Sequence, residues 1–369
     1  MNALMHATIE VPTLAMEHLT KSFRHQPALD DVSFMVPKGA LTVVLGAAGA
    51  GKTTLLRSIA GLEQPDRGRI LLGGRDVAGR EPKDRNLAMI FDNLALYPDK
   101  TGFDNIASPL RIRGDSRAEI ETAVKEVAAR LRISHILARK PKTMSGGERQ
   151  RVALGRALVR TPSLFLLDEP LSSLDAMLRI ELRAELRRLQ RELGYTFLMA
   201  TPDFAEAMAI ADTVILLRAG RIVQIADPQT LYDAPVDRDA ARFVGAPEIN
   251  LVPARIEPGH GLHIAGGVLP LPDRLAALAG SGPVAVEAGI RPEAIGLAPA
   301  DAAPISGTVS DIEPLGAQAA VTVTAGEAEL RLVAGAADLA SLAPGTKVGL
   351  SIAAERITAF DPRSGTRLA

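Results

Sequence analysis

Residues 41–53 read LTVVLGAAGAGKT, and the reading of this stretch decides the fold. LTVVLG (41–46) is a short apolar, β-branched run, the pattern of a buried strand. Residues 46–53, Gly46-Ala47-Ala48-Gly49-Ala50-Gly51-Lys52-Thr53, fit G-x-x-x-x-G-K-[ST]. KTTLLRSIAGL (52–62) then takes up helical apolar spacing and stops at a glycine. Strand, glycine-rich bend and helix in that order make a phosphate cradle. Glycines let backbone N–H groups turn inward around phosphate oxygens. The helix starting near Gly51 points its positive end at the same anion. Lys52 reaches the β and γ phosphates, and the Thr53 hydroxyl ligates Mg²⁺. The binding stretch runs from Gly46 to Thr54, Ala50 included; because backbone amides do the binding, the alanines at 47 and 48 are harmless.

Outward from the cradle, strand-like and helix-like stretches alternate. RAEIETAVKEVAARLRI (117–133) is an amphipathic helix pattern, and MLRIELRAELRRLQRELG (177–194) a charged helix closed by Gly194. SLFLLDEP (163–170) is a buried strand ending in Asp168 and Glu169. A strand ending in Asp puts a carboxylate beside the metal, and the adjacent Glu169 can take a proton from an attacking water. TVILLRAGRIVQ (213–224) reads as two strands around Ala219-Gly220. Such alternation indicates an α/β fold with a largely parallel sheet.

The composition changes near residue 245. Residues 245–369 hold 8 basic and 13 acidic side chains and one aromatic, Phe360; residues 1–244 hold 34 basic and 30 acidic side chains. At 369 residues, two domains with different cores are expected. The second has short runs such as GPVAVEAGIRP and AAVTVTAGEAELRLV punctuated by Gly and Pro, the pattern of a small barrel or sandwich. GHGLHIAGG and ALAGSGP read as flexible or tight-turn segments. The net charge of -1 gives no global pull toward nucleic acid or an anionic membrane. No cysteine is present, which excludes disulfides, thiolate zinc sites and iron–sulfur clusters. MNALMHATIE lacks the features of a secretory signal, and no window is apolar enough to span a bilayer. Of the histidines, which include His6, only His260 and His263 are closely spaced; in their Gly-rich setting they read as surface.

MSGGERQR (144–151), just before VALGRALV, resembles the signature sequence of ATP-binding cassette (ABC) proteins. Ser145, Gly146 and Gly147 at a helix N-terminus form a second anion site; in the family it faces the γ-phosphate held by the opposite subunit. Ser172-Ser173-Leu174-Asp175 resembles the D-loop, and the order of cradle, signature, acidic strand and D-loop matches. FDNLALYPDKTGFDNIASPLRIRG (91–114) looks like the segment that receives the coupling helix of a membrane partner. FVGAPEINLVPARI (243–256), GIRPEAIGLAP (289–299) and TAFDPRSGTRL (358–368) resemble the linker, tail and ending of maltose-type sugar-importer ATPases. The resemblance implies an α/β P-loop NTPase cassette over 11–244, with a helical subdomain at about 92–160. It implies a C-terminal all-β, OB-like TOBE domain over 245–369. It further implies ATP and Mg²⁺ as cofactors, Phe23 as the aromatic that stacks on adenine, and Lys52 and Glu169 as catalytic groups. Thr53 and Asp168 are then the metal ligands. Implied partners are a second cassette, two integral-membrane permease subunits and a periplasmic or extracellular solute-binding protein, with the chain peripheral on the cytoplasmic face of the membrane. A net-acidic tail with one aromatic is a poor single-strand binder, so no nucleic acid is expected. The solute class implied is a carbohydrate or polyol; polyamine, phosphonate and inorganic-ion import remain open.

Two positions depart from the family pattern. Asp92 stands where a VFQ-type run has Gln, and Pro202 where the family has the switch His of THD. Asp is shorter and anionic. Proline offers neither a polar side-chain atom nor a backbone N–H. The expectation is a site that binds MgATP but hydrolyses it poorly, in a heterodimer with an intact second cassette. The alternatives are a homodimer in which another residue or a water fills the gap, and a non-catalytic regulatory cassette.

Overall fold

The computed structural model describes residues 11–172, 174–280, 282–339 and 341–369. MNALMHATIE with His6, and Ser173 of the D-loop-like run, lie outside the described residues. The chain divides between Gln229 and Thr230. The strands of the first unit are β1 (Leu14–Phe23), β2 (Gln26–Val36), β3 (Leu41–Leu45), β4 (Arg67–Leu72) and β5 (Arg75–Asp76). They continue with β6 (Leu87–Ile90), β7 (Leu164–Asp168), β8 (Phe197–Thr201), β9 (Thr213–Arg218) and β10 (Arg221–Ala226). Its helices are α1 (Lys52–Ala60), α2 (Gly102–Arg113), α3 (Arg117–Arg130), α4 (Gly146–Leu158), α5 (Ala176–Leu193) and α6 (Phe204–Ile210).

Strands β2-β1-β4-β5 form an antiparallel sheet. The second sheet runs β10-β9-β3-β8-β7-β6, parallel from β9 to β6, with β10 antiparallel at one edge. Every residue of β3, β7 and β8 is buried. This is why LTVVL and LFLL read as apolar runs without polar alternation: parallel strands covered on both faces have no polar side to alternate with. Leu55, Leu56 and Ile59 of α1 pack into one cluster with Val44, Leu166, Leu198 and Ile215. Because the strands are parallel, Leu45, Ile90, Asp168 and Thr201 all end on one edge, where ligands of open α/β sheets bind. The helical stretch between β6 and β7 holds α2, α3 and α4, and Ser116 and Ser145 start α3 and α4 with complete capping boxes.

The division falls upstream of the composition shift at 245. Two short helices, α7 (Pro228–Asp233) and α8 (Arg238–Phe243), precede the tail strands. Arg291 of the tail donates to the Tyr232 carbonyl at 2.8 Å, to the Ala241 carbonyl at 3.0 Å and to that of Val244. Ala241 shares a buried cluster with Ile249 and Phe360. These contacts tie residues 232–244 to the tail.

The tail strands are β11 (Asn250–Glu257), β12 (Gly261–Ile264), β13 (Gly267–Leu269), β14 (Val284–Ile290), β15 (Ile295–Ala298), β16 (Ile305–Pro314), β17 (Gln318–Ala325), β18 (Ala328–Gly335), β19 (Lys347–Ile352) and β20 (Thr358–Phe360). They make two five-stranded antiparallel sheets, β13-β12-β11-β14-β20 and β15-β19-β16-β17-β18, whose inner faces share one core. The strand-rich tail expected from the Gly/Pro-punctuated runs is present, with two short helices among its strands, α9 (Asp273–Ala279) and α10 (Ala336–Leu339); the first three residues of ALAGSGP are the end of α9 rather than a turn. GHGLHIAGG is more ordered than its composition indicates. It forms the β12–β13 hairpin, with Ala265 (φ 49) and Gly266 (φ 78) both left-handed, as a two-residue type I′ turn requires. His263 Nε2 stands 3.2 Å from Glu257 Oε2. No helix among the described residues is long and apolar enough to cross a membrane.

Candidate functional site

The bend between β3 and α1 is shaped by its glycines. Gly51 caps α1 at φ 106, and a Cβ there would stand 2.4 Å from the Ala28 carbonyl oxygen. A Cβ on Gly46 would stand 2.3 Å from the carbonyl oxygen of Leu217. The bend is therefore pressed between β2 and β9, which leaves room only for hydrogen at both positions. Gly49, at φ 79, faces open space. Ala50 closes the bend by donating its N–H to the Ala47 carbonyl at 3.1 Å.

Lys52 is the first residue of α1, and only 4% of it is exposed. Its ammonium donates to the carbonyls of Gly46 (2.9 Å) and Ala47 (3.1 Å) and stands 3.4 Å from Glu169 Oε1. A buried ammonium is stable only among anions and acceptors. This one is held inside the bend, where a phosphate group would meet it. Thr53 Oγ1 donates to Asp168 Oδ1 at 3.1 Å. Two hard oxygens side by side at the head of a helix are a donor set that suits Mg²⁺. Burial pushes the Asp168 carboxyl above the usual carboxylate range. Glu169 and Asp92 push it further, against the Thr53 hydroxyl and the Arg57 charge. A divalent ion held by these oxygens would reverse the shift.

Glu169 lies just past β7 with φ 47, a left-handed conformation that costs a non-glycine residue energy. It is fixed there by its N–H to the Ala200 carbonyl (3.0 Å) and by the Ser172 hydroxyl to its own carbonyl (3.0 Å). Asp92 follows β6 and is exposed; its Oδ1 accepts the Asn93 N–H at 2.8 Å. Pro202 follows β8 and is exposed too. The neighbouring Thr201 hydroxyl is committed, donating to Glu206 Oε2 at 2.7 Å and accepting from the Asp203 N–H at 3.1 Å. It offers no ready replacement for a histidine donor. Burial raises the Glu206 carboxyl, which the Thr201 hydrogen bond partly offsets.

The structure thus gathers Lys52, Thr53, Asp168 and Glu169 at the carboxyl edge, with Asp92 close enough to act on Asp168. Phe23 ends β1, is 44% exposed, and has the Lys21 ammonium 5.1 Å from its ring centroid. Ser145 and Gly146 open α4; the Ser145 hydroxyl accepts the Glu148 N–H and its own N–H donates to the Glu148 carboxylate. Gly147 packs against Leu178, where a Cβ would stand 2.8 Å from Cδ2. Among the described residues, no hydrogen bond or ion pair joins Ser145, Gly146 or Gly147 to the cradle. Sequence reasoning missed Asn105 and Arg156. Asn105 is fully buried and grips the loop after Asp92: it accepts the Tyr97 N–H at 2.8 Å and donates to the carbonyls of Tyr97, Lys100 and Thr101. The available signal for Arg156 was one cation inside the apolar run VALGRALV.

Residues 29–172 match the family model described as ABC transporter, and residues 288–360 that described as TOBE domain. The chain is 40% identical to the sn-glycerol-3-phosphate import ATP-binding protein UgpC of Ruegeria sp. (strain TM1040), over 97% of this chain and 99% of that protein. It is 45% identical to the trehalose/maltose import ATP-binding protein MalK of Thermococcus litoralis, over 74% of this chain and 76% of that protein. Among solved structures, cbiO1 of Clostridium perfringens, part of the transporter complex cbiONQ, superposes with a TM-score of 0.56 at 27% identity, covering 60% of this chain and 90% of that one. A nucleotide-free ATP-binding cassette from an ABC transporter gives 0.53 at 25% identity, covering 58% and 91%.

Proposed function

The chain belongs to the ABC transporter family of ATP-binding proteins, and on that premise we propose that it is the energy-coupling subunit of an importer for a carbohydrate or polyol. The observation that carries the nucleotide reading is the buried Lys52 ammonium, held inside the Gly46–Gly51 bend with Glu169 beside it. The solute class is supported by the kinship with import proteins for glycerol phosphate and for trehalose and maltose.

In this reading the amides of Gly46–Thr54 and the Lys52 ammonium hold the phosphates, and Phe23 stacks on the adenine. Thr53 and Asp168 hold Mg²⁺, which when bound neutralises phosphate charge. Glu169 takes the proton of the attacking water. Ser145, Gly146 and Gly147 serve the γ-phosphate held by a second cassette. A groove of about 480 Å³ lined by Tyr97, Ser108, Pro109, Ile112, Arg113 and Arg156 receives one of two permease subunits. A solute-binding protein delivers the solute from outside, and the chain stays peripheral on the cytoplasmic face.

Asp92 and Pro202 favour unequal partners. An exposed carboxylate adds negative charge beside Asp168, and Pro202 supplies no donor to a phosphate. The chain's own site therefore binds MgATP and turns it over slowly, while its signature serves an intact cassette of another kind. The purified chain is expected to bind MgATP yet hydrolyse it weakly. Asp92→Gln with Pro202→His raises the rate by roughly 100-fold or more, the worth of positioned polar groups. Rapid turnover by the unaltered chain alone, abolished by Glu169→Gln, contradicts the reading of a slow site. Copurification of the assembly is expected to yield two kinds of cassette.

A further inference from the structure

The loop after Asp92 contains two consecutive non-glycine residues in the left-handed region, Leu94 (φ 58) and Ala95 (φ 44). Left-handed L-residues carry a Cβ–carbonyl clash and occur singly unless something holds them. The loop's own bonds run from the Leu94 N–H to the Phe91 carbonyl (2.9 Å) and from the Ala95 N–H to the Asn93 carbonyl (2.7 Å) and side-chain oxygen (3.1 Å), and from outside the loop Arg156, in the last turn of α4, holds both carbonyls. Its Nη2 donates to the Leu94 carbonyl at 2.8 Å and its Nη1 to the Ala95 carbonyl at 2.7 Å. A planar guanidinium can take both carbonyls of a tight bend at once, which a lysine ammonium on a flexible stem does far less well. The bend leads back through the Asn93 N–H to the Asp92 carboxylate, at 2.8 Å. Forward it leads to Tyr97, whose ring centroid lies 5.8 Å from the guanidinium carbon and whose backbone is gripped by Asn105. Tyr97 and Arg156 both line the groove described above. At its other end, α4 begins with Ser145.

We propose that Arg156 is a positioning residue: it latches the strained Leu94–Ala95 bend and so links Asp92, the groove beside Tyr97 and the signature helix α4 through one side chain. The bend has two arrangements, latched left-handed and released. A partner seated against Tyr97 and Arg156, or a nucleotide drawing on Asp92, biases the same equilibrium from opposite sides. The latch itself rests on the geometry of the bend; its link to nucleotide rests on the function proposed above.

Amide hydrogen exchange on the full chain, with and without MgATP, tests this. In Arg156→Met, exchange at residues 94–97 rises roughly 100-fold, the worth of two charge-assisted hydrogen bonds. MgATP affinity stays within about threefold, and the effect of MgATP on exchange at 94–97 disappears. Adding Leu94→Asn and Ala95→Gly, residues that tolerate the left-handed region, restores at least about tenfold of the lost protection. Arg156→Lys, retained in case the Met variant unfolds, lies between the wild type and Arg156→Met. Unchanged exchange at 94–97 in Arg156→Met, or a rise spread evenly over α4 that the Asn and Gly replacements do not reverse, overturns the proposal. A wild-type chain that takes up no MgATP sinks the nucleotide reading and with it the link to nucleotide; the nucleotide-free exchange still decides the latch.

Discussion

Asp168 shows how the site trades stability for binding. Its carboxyl is raised by burial first and by Glu169 and Asp92 next. Between the ordinary aspartate value and the raised one, the folded chain keeps a proton that the unfolded chain has lost. Stability therefore falls as pH rises through that window, and the cost is fully present once the pH has passed the raised value. Asp168→Asn keeps an acceptor for Thr53 and removes the charge. It is expected to raise the melting temperature of the nucleotide-free chain at pH 7, with the advantage narrowing as the medium is acidified toward about pH 4. The same change is expected to abolish the gain in ATP affinity that Mg²⁺ provides. Thermal unfolding across pH, alongside titrations with and without the metal, checks both. A variant less stable than the wild type at pH 7 counts against the account. The residue identities at this scale were legible: GKT and the DE after LFLL stand in plain sequence. The left-handed Glu169 was not, because no composition rule places a glutamate at positive φ.

At the scale of one element, the start of α1 separates two glycines that look alike in sequence. Gly51→Ala forces a Cβ to within 2.4 Å of the Ala28 backbone at φ 106, whereas Gly49→Ala at φ 79 meets nothing within 4 Å. The first is expected to cost more than about 3 kcal/mol, and the second about 1–2 kcal/mol from backbone strain alone. Denaturant midpoints of the two variants test this, and equal losses would show that the bend is not pressed against β2. The strands β3 and β7 were readable because burial on both faces erases alternation. The β12–β13 hairpin was obscured because Ala265 takes a left-handed turn position that Asn, Asp or Gly usually marks. The Arg156 latch was hidden for a different reason. Its partners are carbonyls, and every residue has one.

For the whole molecule, the sequence displayed two compositions but not where one unit hands over to the next. Charge and aromatic content change near 245, yet the helices before that point lie with the tail because Arg291 gathers their carbonyls. Composition follows surface chemistry, and a domain boundary follows contacts made in three dimensions. Each unit buries its own apolar cluster, so the cradle belongs to the first unit alone. The complete chain should accordingly hold one nucleotide, in a site built from β3, α1 and β7. Isothermal titration of the full chain with MgATP tests this most directly. The account predicts one nucleotide bound per chain, with affinity reduced at least about 100-fold in Lys52→Ala, the loss of a charged contact to the phosphates. No heat of binding from the wild type, or the same affinity in both proteins, would contradict it.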